Sequence, residues 1–191
     1  MGSSRYFGNR PSRDEEDRMN PTCWPDGVPA TMPAQDRADI IELYARYAWG
    51  LDLADEEMLL SAFAEDAWFD HLWQGRVQGH EAILKNMHEL WGERFHWWFG
   101  RQHVFNHHIM TPTEDGADVR CFFQILQYNP EYKNNFVFGV GTREDKLVKR
   151  DGRWLFYSLY VNAWTSADEI PWKGVRPAAK GPSKTKPASS S

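Results

Sequence analysis

The chain has little cysteine: it contains only Cys23 and Cys121 among 191 residues. Two thiols at this separation have no metal-binding or redox spacing and cannot build a disulfide framework. Long apolar runs are also lacking, since none approaches the ~20 residues that cross a bilayer, and no segment resembles a secretory leader. We therefore expect a cytoplasmic protein with no membrane partner.

An excess of positive charge is missing as well. The formal net charge is −5, and the sequence pI is about 5.8. This balance argues against nucleic acid or an anionic membrane surface as the main partner. The length allows one domain with a sizeable core.

Aromatic residues, by contrast, are abundant: ten Trp, eleven Phe and seven Tyr make up 15% of the chain. Such an excess is typical of a core combined with an oligomer interface, or of a pocket for a flat, apolar ligand. We expect an aromatic small-molecule ligand. We also expect a homo-oligomer, a dimer or a trimer, because a sheet face rich in aromatics promotes self-association.

Composition divides the chain into three parts. Residues 1–34 are rich in Gly, Pro, Arg and acids without an apolar period, which predicts a flexible N-terminal arm. Residues 173–191 are of low complexity, which predicts a disordered tail. A single domain is predicted over residues 35–172.

Helical periodicity dominates the first half of this domain. In the first predicted helix, Gly50 is a plausible C′ residue, which would place Asp52 just beyond the helix end. The segment DEEMLLSAFAED predicts a second helix with an Asp cap, and AWFDHLWQGRVQG predicts two short strands. A third helix is predicted from four apolar residues on one face: Ile83, Met87, Leu90 and Trp91.

The period changes to two after residue 100, where four strands are predicted with polar turns at TEDG and RDGR. Helices followed by antiparallel strands indicate an α+β fold, in which a curved sheet wraps around the N-terminal helices. Such a half-closed cone would leave an internal pocket for a small molecule.

The stretch RQHVFNHHIM carries three histidines on the first of these strands. In an unbulged strand, Arg101, His103, Phe105 and His107 would share the inward face, while Val104, Asn106, His108 and Met110 would share the other. His103 and His107 would then lie roughly 13 Å apart, too far to bind one metal ion. We predict no metal site.

Three segments in this order resemble the SnoaL-like branch of the NTF2-like superfamily: LYARYAWGLDLADEEML with AFAEDAWFD, then RQHVFNHHI, then REDKLVKRDGRWLFYSLYV. The resemblance covers about residues 36–165 and implies the NTF2-like cone. Fold does not fix function here. The superfamily includes dehydratases, dehydrohalogenases, ketosteroid isomerases, polyketide cyclases, epoxide hydrolases, dioxygenase small subunits and non-catalytic binders.

The resemblance also implies a catalytic pair. Lyases similar to scytalone dehydratase and hexachlorocyclohexane dehydrochlorinase use an aspartate after the first helix and a histidine on the first long strand. Asp52 and His103 occupy those positions. Histidine titrates near neutral pH and suits a general base, which a carboxylate can orient without any cofactor. The alternatives are that Asp52 caps the helix beginning near Asp55 and that His103 is a core histidine.

Further candidates would bind the substrate. Tyr47 could donate to a substrate oxygen or pack in the helix face. Arg143 could face inward, which would favour an anionic substrate or a phenolate, or outward, where it would pair with a neighbouring acid. The full set of predicted substrate contacts is Tyr47, Trp49, Trp68, Phe69, Arg101, His107, Tyr128, Arg143 and Asn162.

We therefore expect a cofactor-independent lyase. It would catalyse β-elimination, with loss of water, halide or formaldehyde, from an aromatic molecule of which lignin-derived diaryl compounds are one class. Two alternatives remain open. One is an isomerase acting on an aromatic or steroid-like substrate, and the other is a non-catalytic assembly module similar to a dioxygenase small subunit.

Overall fold

Helices come first and a curved sheet follows in the computed structural model, which describes residues 31–71, 74–92, 100–165 and 170. These ranges contain three helices and six strands: α1 (Ala34–Leu53), α2 (Glu56–Leu60), β1 (Phe63–His71), β2 (Gly75–Gln78), α3 (His80–Gly92), β3 (Gln102–Pro112), β4 (Gly116–Asn129), β5 (Asn134–Arg150) and β6 (Arg153–Ala163). The order confirms the predicted α+β fold. Residues 1–30 of the predicted arm and the predicted tail lie outside the described residues.

One six-stranded sheet runs in the order β2-β1-β6-β5-β4-β3. The pairing of β1 with β6 is parallel, and the other neighbours are antiparallel. Register shifts interrupt the pairing of β1 with β6, of β3 with β4, of β4 with β5 and of β5 with β6. Because a bulge bends its strand and increases the local twist, these shifts curve the sheet around α1.

The first helix buries the face that its periodicity predicts, including Ile40, Tyr44, Tyr47 and Leu51. It continues to Leu53 and ends at Ala54, which adopts the left-handed conformation with φ 56°. The prediction that Gly50 ends the helix is therefore wrong. A Cβ on Gly50 would lie 2.5 Å from the backbone nitrogen of Leu59, so this glycine instead allows α2 to approach α1 closely.

The second helix is only five residues long, and β1 already begins at Phe63. The prediction that all of DEEMLLSAFAED is helical is therefore wrong. Asp55 caps it by accepting a hydrogen bond from the backbone N–H of Met58 at 2.9 Å. The cap position is thus filled by Asp55, and Asp52 does not cap this helix.

The third helix buries Ile83, Met87, Leu90 and Trp91, as predicted. The indole Nε1–H of Trp91 donates to the carbonyl oxygen of Leu51 at 2.9 Å. This bond fixes the last turn of α1, which carries Asp52. None of the helices in the described ranges combines the length and the apolar character needed to span a membrane.

Candidate active site

Asp52 and His103 meet where the end of α1 contacts the start of β3. The carboxylate oxygen Oδ1 of Asp52 lies 2.5 Å from the ring nitrogen Nδ1 of His103, and Oδ2 accepts the backbone N–H of His103 at 2.7 Å. The two side chains are only 12% and 10% exposed. Since a carboxylate can only accept, Nδ1 carries the proton, and Nε2 of the neutral ring is the nitrogen able to take up another.

Arg101 adds a positive charge beside this pair. Its guanidinium is buried, donates through Nε to Oε1 of Gln127 at 3.0 Å, and lies 4.2 Å from the ring centroid of Phe138. Burial lowers the pKa of Arg101 to about 10, and the negative charge of Asp52 opposes that shift. The side chain therefore remains cationic at neutral pH.

Deeper in the interior, Arg143 and Asp145 form a buried ion pair. The guanidinium Nε donates to Oδ1 of Asp145 at 3.1 Å, and Nη2 lies 2.9 Å from Oδ2. The hydroxyl of Tyr44 donates to the same Oδ2 at 2.5 Å. Burial alone would lower the pKa of Arg143, but Asp145 and the phenols of Tyr47 and Tyr44 outweigh it and raise that pKa above its ordinary value. Arg143 thus faces inward, and its acidic partner faces inward with it.

Tyr47 lies beside the guanidinium of this ion pair. It is 3% exposed, and the guanidinium carbon of Arg143 is 5.0 Å from its ring centroid. Burial raises the pKa of Tyr47 to about 12. The rings of Phe63, Phe105 and Phe156 surround it at centroid distances of 5.5 to 5.8 Å.

The placement predicted for His107 is wrong because β3 is bulged between Asn106 and Ile109. His107 takes a left-handed conformation with φ 55° and is exposed. The extra residue turns His108 inward instead. Its ring contacts that of Tyr44 edge to face, with the ring centroids 4.6 Å apart. Met110, also predicted to face outward, is 4% exposed in the core.

The buried position of His108 is expected to make the stability of the fold decrease at acid pH. Burial, followed by the charges of Arg143, Arg37 and His107, lowers its pKa from 6.5 to about 4. Because the unfolded chain then binds the proton more readily, we expect stability to fall as pH drops from about 6.5 to 4. Urea midpoints measured across this range should fall more steeply for the wild type than for His108→Phe. Equal slopes would contradict the prediction.

Trp49 and Trp68 lie away from the interior, which corrects two predicted substrate contacts. Trp49 is 63% exposed on α1. Trp68 precedes the buried Phe69 in β1 and so projects from the opposite face of the sheet, where the guanidinium carbon of Arg76 lies 4.2 Å from its ring centroid. Phe69 itself is 1% exposed and packs on Phe63 in the core.

Tyr128 and Asn162 also lie on the outer face. Tyr128 follows the inward-facing Gln127 in β4 and therefore points the other way. Asn162 is directly opposite Thr142, and its amide lies 3.5 Å from the hydroxyl of that residue. Because Thr142 precedes the inward-facing Arg143, this pair is on the outer face.

Sequence reasoning missed Tyr44, His108 and Asp145 as site residues. The inward position of Asp145 was predictable, since it is two residues after Arg143 in a strand and must share its face. The inward position of His108 was not predictable, because nothing in the sequence indicates the bulge in β3. Among the described residues, no group of three His, Cys, Asp or Glu side chains could hold a metal ion.

This architecture defines the NTF2-like, or cystatin-like, class of α+β proteins, and solved structures at low identity share it. A protein with a cystatin-like fold from Nostoc punctiforme matches at 22% identity and a TM-score of 0.61, covering 72% of this chain and 97% of that one. Aln2 from a Streptomyces species matches at 17% identity and a TM-score of 0.62, covering 70% of this chain and 94% of that one. A putative aromatic ring hydroxylase from Novosphingobium aromaticivorans matches at 20% identity and a TM-score of 0.59, covering 71% of this chain and 94% of that one.

The family is established by sequence. The SnoaL-like domain matches residues 32–160, and the chain belongs to this family within the NTF2-like superfamily. Its members are generally enzymes and include polyketide cyclases, isomerases and dehydratases. A comparison with curated proteins finds no significant match.

Proposed function

We propose that the protein is a cofactor-independent lyase that catalyses β-elimination from an aromatic small molecule, with lignin-derived diaryl compounds as one candidate class. The observation that carries this proposal is the dyad, in which one histidine engages both oxygens of a buried carboxylate. That arrangement holds the imidazole in place and leaves Nε2 of His103 available as a base.

For loss of water or halide, the chemistry requires a proton to leave carbon. Nε2 of His103 takes that proton, the electrons of the C–H bond form the new double bond, and the leaving group departs with the electrons of its own bond. The imidazolium that forms is stabilised by Asp52 on the opposite ring nitrogen. No step in this sequence needs an electron acceptor or an activated co-substrate.

The interior around the dyad supports an aromatic substrate. The rings of Tyr47 and Phe105 lie 5.8 Å apart, and the imidazole of His103 is stacked at 6.3 Å from Phe105. These apolar rings limit access of water, which strengthens the electrostatic effect of Asp52, Arg101 and Arg143 on a bound molecule.

The test is a panel of aromatic alcohols, diaryl propanediols and halides, incubated with the protein and a chelator. We expect a new conjugated alkene, detected by its ultraviolet absorbance, and we expect His103→Ala to abolish its formation. His107→Asn is the matched control, because His107 is exposed at the bulge and asparagine tolerates its positive φ.

Two results would contradict the proposal. Turnover that survives His103→Ala would move the base to another residue. A product of unchanged mass would instead indicate an isomerase.

A further inference from the structure

Two tyrosines on α1 have similar surroundings but different hydroxyl partners. Tyr44 and Tyr47 are three residues apart, 2% and 3% exposed, and both lie beside the guanidinium of Arg143. The hydroxyl of Tyr44 donates a hydrogen bond to Asp145. The hydroxyl of Tyr47 has no such carboxylate acceptor among the described residues, and the guanidinium carbon of Arg143 lies 5.0 Å from its ring centroid.

We propose that Tyr47 is the acid that protonates an oxygen leaving group, so that the substrate is an aromatic alcohol that loses water. The inference rests on the proposed lyase function and chooses among its leaving groups. A hydroxide departs poorly from carbon without a proton, whereas a halide departs without one, so only the alcohol needs such a donor.

The position of Tyr47 suits an acid that works together with His103. Its ring packs on one side of the interior against Phe105, and the imidazole of His103 stacks on that same phenyl ring. The charge of Asp52 also acts on the Tyr47 phenol. The imidazole and the phenol therefore lie against the same phenyl ring, so a substrate bound beside Phe105 would be close to both.

The charges around Tyr47 suit transfer of its proton. Burial keeps the phenol protonated at neutral pH, so it remains a donor until the C–O bond begins to break. The phenolate that forms is then stabilised by Arg143, which is 1% exposed and always charged. In an interior shielded from water this attraction is stronger than at the surface.

The full step balances. Nε2 of His103 takes the proton from carbon, the C–H electrons form the double bond, and the C–O bond breaks with its electrons passing to oxygen. That oxygen takes the phenolic proton and leaves as water. The imidazolium of His103 then returns a proton to the phenolate of Tyr47, directly or through the released water, and the site is reset.

The experiment uses two substrates that share one carbon skeleton and give the same alkene, one with a hydroxyl leaving group and one with bromide. We expect Tyr47→Phe to lower kcat/KM for the alcohol by about 10²-fold or more, and far less for the bromide. Tyr44→Phe is the matched control. It should change kcat/KM of both reactions by a similar factor, because the hydroxyl of Tyr44 donates to Asp145 and not to the substrate.

The inference would be overturned if Tyr47→Phe lowered kcat/KM equally for the two substrates, or did not lower it for the alcohol. The proposed function is tested separately, since His103→Ala should abolish both reactions whichever group supplies the acid. If Tyr47→Phe does not fold, the wild type decides: a wild type that eliminates bromide but not water would equally overturn the role of Tyr47.

Discussion

Asp52→Asn is expected to lower kcat/KM by about 10³- to 10⁴-fold while the fold is kept. The carboxylate accepts two N–H groups of His103, one from the ring and one from the backbone. An amide offers one oxygen and one NH2 group, so one of these contacts becomes donor against donor. The imidazole then turns or changes tautomer, and Nε2 no longer presents its lone pair to the substrate.

Steady-state kinetics on a turned-over substrate would measure this loss, with circular dichroism as the check on folding. Asp55→Asn is the control, because it makes the same change three residues away, at a helix cap that asparagine fills about as well. Since the dyad acts as a unit, Asp52→Asn added to His103→Ala should cost little more than His103→Ala alone. Additive losses would show that the two residues act independently.

The largest effect on stability is expected from Asp145→Asn, which should lower the free energy of unfolding by about 3–5 kcal/mol. Asp145 is fully buried and accepts from Tyr44, from Arg143 and from the backbone N–H of Tyr160. Neutralising it leaves the buried guanidinium of Arg143 charged and without the carboxylate with which it pairs.

Urea denaturation at pH 7 would measure this difference. The control is Asp66→Asn, which breaks an exposed ion pair with Arg150 and should leave stability nearly unchanged. Replacing both members of the buried pair, Arg143→Met with Asp145→Leu, should recover part of the loss because no lone charge remains. If Asp145→Asn costs no more than Asp66→Asn, the buried pair does not stabilise the fold.

Periodicity was sufficient to predict most of the fold. The buried faces of α1 and α3 follow from apolar spacing, and the two hairpins follow from alternation and polar turns. It failed where a tertiary contact overrides a local preference. Gly50 has the residue type of a helix end, yet the close approach of Leu59 is the reason for it. Phe63 continues an apolar helical pattern but pairs with Phe156 across the sheet.

The site was less accessible to sequence reasoning. The resemblance to a family led to Asp52 and His103, because 51 positions separate them and no local pattern joins them. Strict alternation then misplaced His107, since one extra residue in β3 reverses the direction of every later side chain. The sides taken by Trp68, Tyr128 and Asn162 depend on strand register, which the sequence alone does not specify.

The contact between Asp52 and His103 also has a mechanical consequence. It ties the end of α1 to the start of β3 and so closes a loop of chain that contains α2, β1, β2 and α3. Closing a loop of that length has a conformational entropy cost, which the buried, charge-assisted bonds help to offset. The two residues proposed to perform the chemistry therefore also hold the end of α1 against the start of β3.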